Sequence, residues 1–317
     1  MSAEAPFRAD LAMGPPGGRA RWLTAADGMR LRAGFWGGGP RGTVVVLSGR
    51  AEYAEKYGPT AAALLDAGWS TIVPDWRGQG FSGRLLPDPM IGHVGSFAEY
   101  QRDLDAVIGW LMREGEAAGL RQPFVMLAHS MGGLIGWRAL VRGLPLVRAV
   151  LSAPMWGLVL VPWKTVTSQL LSRLPFPLAA DRNYVPGAGP ETYVLCAPFE
   201  GNQMTSSRDG WDWLALQARE EPAFRLGGPS IGWLRAALRE IRALDRRPAP
   251  SAPVLAVLGD DESVVSPSAV RRRIASWPDA RLVTFPGARH EILIERADLR
   301  DAFLREAVSF LGAASAC

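Results

Sequence analysis

The stretch Val125-Met126-Leu127-Ala128-His129-Ser130-Met131-Gly132-Gly133 constrains this chain more than any other. An apolar run typical of a buried strand ends in a serine flanked by small residues, and a helical pattern follows from Met131 to Arg142. A tight strand-to-helix turn of this kind forces the serine into a strained backbone conformation and leaves its hydroxyl exposed above a sheet. Small residues two before and two after let the turn close. Here they are Ala128 and Gly132, a variant of G-x-S-x-G. A helix merely capped by Ser130 would read the same way, so the rest of the chain must offer a base and an acid if the serine is a nucleophile.

The sequence holds three histidines. His129 adjoins the serine and on such a turn points away from it, and His93 lies in a glycine-flanked loop before the nucleophile. His290 sits in Phe285-Pro286-Gly287-Ala288-Arg289-His290-Glu291-Ile292-Leu293, just after a predicted strand, in a Pro/Gly loop of the kind that carries catalytic groups. A lone loop histidine is usually a surface residue. In the order serine, acid, histidine it reads as the general base.

The acid is expected after the strand Pro253 to Leu258, in Gly259-Asp260-Asp261-Glu262-Ser263-Val264-Val265. Three carboxylates compete. The pair Val264-Val265 should re-enter the core at once, which favours Glu262 for the inward place, with Asp261 second and Asp260 third. The others would only solvate the loop.

Strands and helices alternate along the chain, which implies an α/β fold with a mostly parallel sheet covered on both faces. Arg30 to Trp36 and Thr43 to Leu47, on either side of Gly37-Gly38-Gly39-Pro40, read as a hairpin. Helices are predicted over 54–67, 96–114, 131–142, 267–276 and 299–311, and strands over 69–74, 123–128, 147–152, 253–258 and 281–285. Residues 1–21 carry no apolar run and read as a flexible arm, neither a secretory signal nor a membrane helix. Residues 22–153 and 246–317 form the core. Residues 154–245 are too long for an ordinary connection and read as a cap or lid over the site.

The ordered motifs resemble the α/β-hydrolases of the bacterial lysophospholipase and monoacylglycerol lipase group, whose relatives are often described as serine aminopeptidase-like. The likeness runs nearly end to end. It rests on Ser48-Gly49-Arg50-Ala51-Glu52, on Asp75-Trp76-Arg77-Gly78-Gln79-Gly80-Phe81-Ser82-Gly83, and on Gly92-His93-Val94 leading to Phe97, Tyr100 and Asp103. It continues through the nucleophile segment, Leu226 to Trp233, and Ala288 to Leu293. Glu262 falls where lysophospholipase-like members carry Glu and monoacylglycerol lipases carry Asp. The chain departs from the group's usual His-Gly by having Ser48-Gly49.

What the resemblance implies is a serine hydrolase that cleaves a lipid-like carboxylic ester, a lysophospholipid or monoacylglycerol, through an acyl-enzyme. Ser130, Glu262 and His290 would be the triad, and the backbone N–H groups of Arg50 and Met131 would face the oxyanion. A charge role for the Arg50 side chain, pairing a phosphate head group, is set second to its backbone. Other classes keep the same fold. One is an aminopeptidase gripping a substrate amine with Glu191, Asp209 and Asp212, and the other is a non-catalytic ligand-binding scaffold.

Gly78-Gln79-Gly80-Phe81-Ser82-Gly83 also satisfies G-x-G-x-x-G, but a dinucleotide site needs a helix at the third glycine. Pro87 and Pro89 oppose one, so the glycines are expected to serve turns. With few and scattered His and Cys, neither metal nor cofactor is expected. Net charge is +4, and Arg271-Arg272-Arg273 read as a solvated helix face with no nucleic-acid role. Two cysteines, Cys196 and Cys317, suit a reducing, cytoplasmic setting. The insertion holds Trp156, Trp163, Trp211, Trp213 and Trp233. These either line an acyl-chain tunnel, touch the inner face of a membrane, or pack the cap. The sequence gives no oligomeric state.

Overall fold

The computed structural model describes residues 4–159 and 180–313. Its centre is a nine-stranded sheet in the order β1-β2-β3-β5-β4-β6-β7-β8-β9, counted among the described residues. The strands are β1 Glu4–Ala5, β2 Arg19–Thr24, β3 Arg30–Trp36, β4 Thr43–Leu47, β5 Ser70–Asp75, β6 Phe124–His129, β7 Ala149–Ser152, β8 Val254–Gly259 and β9 Ala280–Phe285. The first three pairings are antiparallel and β5 through β9 run parallel.

Because side chains alternate across a strand, β4 sends Val45 and Leu47 to one apolar layer and Val44 and Val46 to the other. β6 does the same with Met126 and Ala128 against Val125 and Leu127. The helices Phe97–Trp110, Met131–Val141 and Ile231–Asp245 cover the first face, and Gly58–Asp66 and Ala297–Gly312 the second. Burial on both faces explains the unbroken apolar character of these strands.

Two expectations are corrected. β3 and β4 do not form a hairpin: β5 lies between them, antiparallel to β3 and parallel to β4. The glycines of the connection permit close approach rather than a tight turn. A Cβ on Gly39 would lie 2.3 Å from the Ser70 nitrogen, and one on Gly37 would lie 2.3 Å from the Ala118 carbonyl. Nor are residues 4–21 a free arm. β1 and β2 extend the sheet, Leu11 and Ala12 are buried, and the Leu11 carbonyl accepts from Trp213 Nε1 and Gln217 Nε2. Two buried residues in a four-residue helix, Ala9–Ala12, were too weak a periodic signal to find.

Between β7 and β8 the described chain forms the helices Tyr193–Cys196, Arg208–Glu220 and Ile231–Asp245. Trp156, Trp211 and Trp233 are buried there, and Trp213 is half-buried with its ring nitrogen on Leu11. These four tryptophans therefore pack the segment. Trp163 lies outside the described residues. No helix among the described residues is long and apolar enough to cross a membrane.

Candidate active site

Ser130 follows the last residue of β6 and precedes the helix Met131–Val141. Its φ of 49° and ψ of −115° fall in a region that side chains avoid, at a cost of roughly 1–3 kcal/mol that the surroundings must offset. They do so by crowding. A Cβ on Gly132 would stand 1.9 Å from the Leu47 carbonyl oxygen, and one on Gly133 would stand 2.6 Å from Pro154 Cβ. The Ser130 amide donates to the Ser152 carbonyl and its own carbonyl accepts from Met155, which fastens the turn to the end of β7.

His290 lies across from it. His290 Nε2 is 3.0 Å from Ser130 Oγ, and His290 Nδ1 is 2.8 Å from Glu262 Oε2. The second carboxylate oxygen of Glu262 accepts the amides of Val264 at 2.7 Å and Val265 at 3.0 Å. Burial alone would raise the Glu262 carboxyl. The hydrogen bond and charge of His290, with those two amides, outweigh it and hold the group below its ordinary range. The competing acids point elsewhere: Asp261 pairs with Arg289 at 3.2 Å, and Asp260 caps the Gly287 amide at 2.6 Å. Gln203 and Met204, from the segment between β7 and β8, receive the backbone amides of His290 and Glu291.

The amide of Met131, which opens the helix directly after Ser130, and that of Arg50, in the loop after β4, donate to no acceptor among the described residues. The loop carrying Arg50 is heavily braced. Gly49 donates to Glu52 Oε2 at 2.6 Å, and the Gln79 side chain bonds the carbonyls of Gly49 and Glu52 and the amide of Ala51. Trp76 Nε1 holds the Ser48 carbonyl at 2.9 Å. The G-x-G-x-x-G letters therefore serve this brace. Gly78 and Gly80 take φ of 85° and 55°, and a Cβ on Gly80 would lie 2.1 Å from Asp75 Oδ2.

Sequence reasoning missed a buried polar cluster beneath the loop. Lys56 Nζ bonds Glu52 at 2.8 Å and Glu291 at 2.7 Å, and Tyr57 also donates to Glu52. His129 Nε2 stands 3.3 Å from Glu291, and its ring centre is 4.8 Å from that of His290. Burial works against a charged His129, but the carboxylates of Glu291 and Glu52 outweigh it and raise its pKa. Glu291, also penalised by burial, is held well below its ordinary range by His129 and Lys56. The ligand atoms of Glu52, His129 and Glu291 lie within 4.8 Å of one another, as a metal site would need. Lys56, bonded to both carboxylates, already supplies the cation there. The i, i+4 spacing of Glu52 and Lys56 was the one signal in the sequence. His93, the remaining histidine, bonds Ser230 through Nδ1 at 2.8 Å.

The chain is similar to known proteins over most of its length. The family described as serine aminopeptidase, S33, matches residues 38–297. The chain belongs to that family. Lysophospholipase L2 of Escherichia coli K12 is 33% identical over 276 residues, covering 84% of this chain and 79% of that protein. A probable lysophospholipase L2 of Haemophilus influenzae is 30% identical over 277 residues, covering 87% and 85%. Among solved structures, a soluble variant of monoglyceride lipase from Saccharomyces cerevisiae in complex with a substrate analog superposes with a TM-score of 0.72. It is 20% identical and covers 91% of this chain and 93% of that one. The fold of this family member is that of the α/β-hydrolases.

Of the acids that could grip a substrate amine, Asp212 pairs with Arg208 at 3.0 Å and Asp209 is exposed on the same helix. Only Glu191 of the three borders the cavity next to Arg50, and it is exposed.

Proposed function

We propose that this enzyme hydrolyses the carboxylic ester of a lipid-like substrate, a lysophospholipid or monoacylglycerol, with Ser130, His290 and Glu262 as its triad. The observation that carries the proposal is the unbroken run of hydrogen bonds from Ser130 Oγ through His290 to Glu262. Ser130 Oγ attacks the acyl carbon while His290 Nε2 takes its proton. Glu262 fixes the Nδ1–H tautomer and stabilises the imidazolium. The amides of Arg50 and Met131 donate to the oxyanion, where each such donor contributes about 2.7–4 kcal/mol to the barrier. Collapse expels the glycerol-side alcohol, protonated by His290, and leaves an acyl-Ser130 ester. Water then attacks with His290 as base.

Residues 154–245 act as the cap over this site. The enzyme works in the cytoplasm, at the inner face of the membrane that supplies its lipid. The names of the curated relatives support the ester class, and Asp209 and Asp212, which do not border the cavity that Glu191 lines, argue against amine recognition by those three acids.

The test is labelling by a fluorophosphonate probe, followed by turnover of matched lysophospholipid and monoacylglycerol esters. Wild-type protein is expected to label and to hydrolyse ester, and Ser130→Ala to do neither. Labelling that persists in Ser130→Ala removes the nucleophile from this reading. Faster cleavage of aminoacyl naphthylamides than of lipid esters replaces the substrate class with the aminopeptidase one.

A further inference from the structure

The Arg50 side chain is a cation with no counter-ion among the described residues. Of its nitrogens, Nη2 donates to the Gly227 carbonyl, and Nε is sealed from water with no partner. The guanidinium stands 5.6 Å over the Trp233 ring and presses on Gly92, where a Cβ would lie 2.5 Å from Nη2. No carboxylate among the described residues pairs with it, and residues 1–3, 160–179 and 314–317 contain no Asp or Glu. Arg50 is partly buried, and the fully buried cations here are handled differently. Arg32 pairs with Glu55 and Asp75, Arg77 with Asp27, Glu99 and Asp103, and Lys56 with Glu52 and Glu291.

Burying an unpaired charge is destabilising. It lowers the Arg50 pKa to about 10, with only Tyr100 and Tyr184 opposing the shift. Arginine is also the side chain best shaped to take an oxyanion through two parallel N–H bonds. Arg50 borders a cavity of about 340 Å³ whose walls include Tyr53, Leu214, Phe224 and Leu226. The other charges bordering it are Glu52, Lys56 and Glu291, which pair with one another, and Glu191, which is exposed to water, so none of them replaces Arg50.

We propose that the Arg50 guanidinium binds the phosphodiester of a lysophospholipid, so that one residue addresses both ends of the glycerol unit. The inference rests on the ester hydrolysis proposed above. The same number of covalent bonds separates an arginine's amide nitrogen from its guanidinium carbon as separates the acyl carbon of a 1-acyl lysophospholipid from its phosphorus. An Arg50 amide at the oxyanion therefore puts its own guanidinium within reach of the phosphate. A monoacylglycerol leaves the guanidinium unpaired, which makes the site a discriminator between the two esters. The acyl chain must lie on the other side, because hydrocarbon against Arg50 would deepen the penalty.

The test compares kcat/KM for a 1-acyl lysophosphatidylcholine and the 1-monoacylglycerol of the same chain length, in wild type, Arg50→Met and Arg50→Lys. Losing a hydrogen-bonded charge pair should lower the lysophospholipid value by about tenfold or more beyond any loss on the monoacylglycerol, with partial recovery in Arg50→Lys. An equal loss on both esters overturns the inference. A second arm needs no variant: sn-glycero-3-phosphocholine is expected to compete with monoacylglycerol turnover by wild type. Competition by inorganic phosphate but not by the glycerophosphodiester marks a free-phosphate site and overturns it as well. Hydrolysis of neither ester defeats the proposed function and this inference with it, whereas hydrolysis of both with an unchanged ratio defeats only the inference.

Discussion

Glu52 Oε2 accepts the amide hydrogen of Gly49 at 2.6 Å, while Lys56 ties the other oxygen of Glu52 to Glu291, the neighbour of His290. One buried carboxylate thus links the loop that carries the Arg50 amide to the loop that carries the base. In a low-dielectric setting such charge-assisted bonds are the strong ones, so the two halves of the site are held in one register.

Glu52→Ala removes the acceptor for Gly49 and leaves Lys56 with one carboxylate. The expected result is a fall in kcat of about tenfold or more with little change in KM, because a displaced oxyanion donor weakens the transition state and not ground-state binding. Glu52→Gln, which keeps an oxygen facing Gly49, should recover part of the loss. A rise in KM at constant kcat would assign Glu52 to substrate binding instead.

Glu262 and Asp261 separate cleanly. Glu262→Gln keeps the shape but lets the His290 tautomer reverse, and the corresponding acid-to-amide change in a serine triad lowers kcat by about 10⁴. Asp261→Asn loses only an exposed pair with Arg289, so steady-state turnover should stay near wild type. Full activity in the Glu262 variant, with loss in the Asp261 one, would move the acid by one residue.

The parts of this site legible in the sequence were those with local periodicity or a forced turn. Ser130 is announced by its own strand and small neighbours. Glu262, rather than Asp260 or Asp261, meets His290 because Val264 and Val265 return toward the core and hold one of its oxygens under their amides, leaving the other for His290. The cluster of Glu52, Lys56, His129 and Glu291 was not legible, since its members meet only through the fold and each alone resembles a surface charge. The order β3-β5-β4 was hidden for the opposite reason. Three glycines and a proline read locally as a turn, whereas their small size serves contacts with Ser70 and Ala118.

Gly132 tests the crowding at the nucleophile. A methyl group there meets the Leu47 carbonyl oxygen, part of a central strand that cannot withdraw. Gly132→Ala should lower stability by roughly 1–3 kcal/mol as an overpacked site does, and slow fluorophosphonate labelling of Ser130. A melting curve and a labelling rate both matching wild type would mean that the turn tolerates a side chain.

The Glu291 cluster should leave a mark on stability as a function of pH. Glu291 is depressed below its ordinary 4.5, so its contribution is full above that value and is lost as pH falls through the folded pKa. His129 is raised above 6.5, so its contribution is full below that value and is lost as pH rises through the folded pKa. Both signs favour the native state between pH 4.5 and 6.5. Glu291→Gln removes one partner of a buried ion pair, a loss of about 3–5 kcal/mol where the pairing is complete. The gap between wild-type and Glu291→Gln unfolding midpoints should therefore be widest in that window and narrow on both sides. A gap independent of pH from 3 to 9 would show that the residue acts by shape rather than charge.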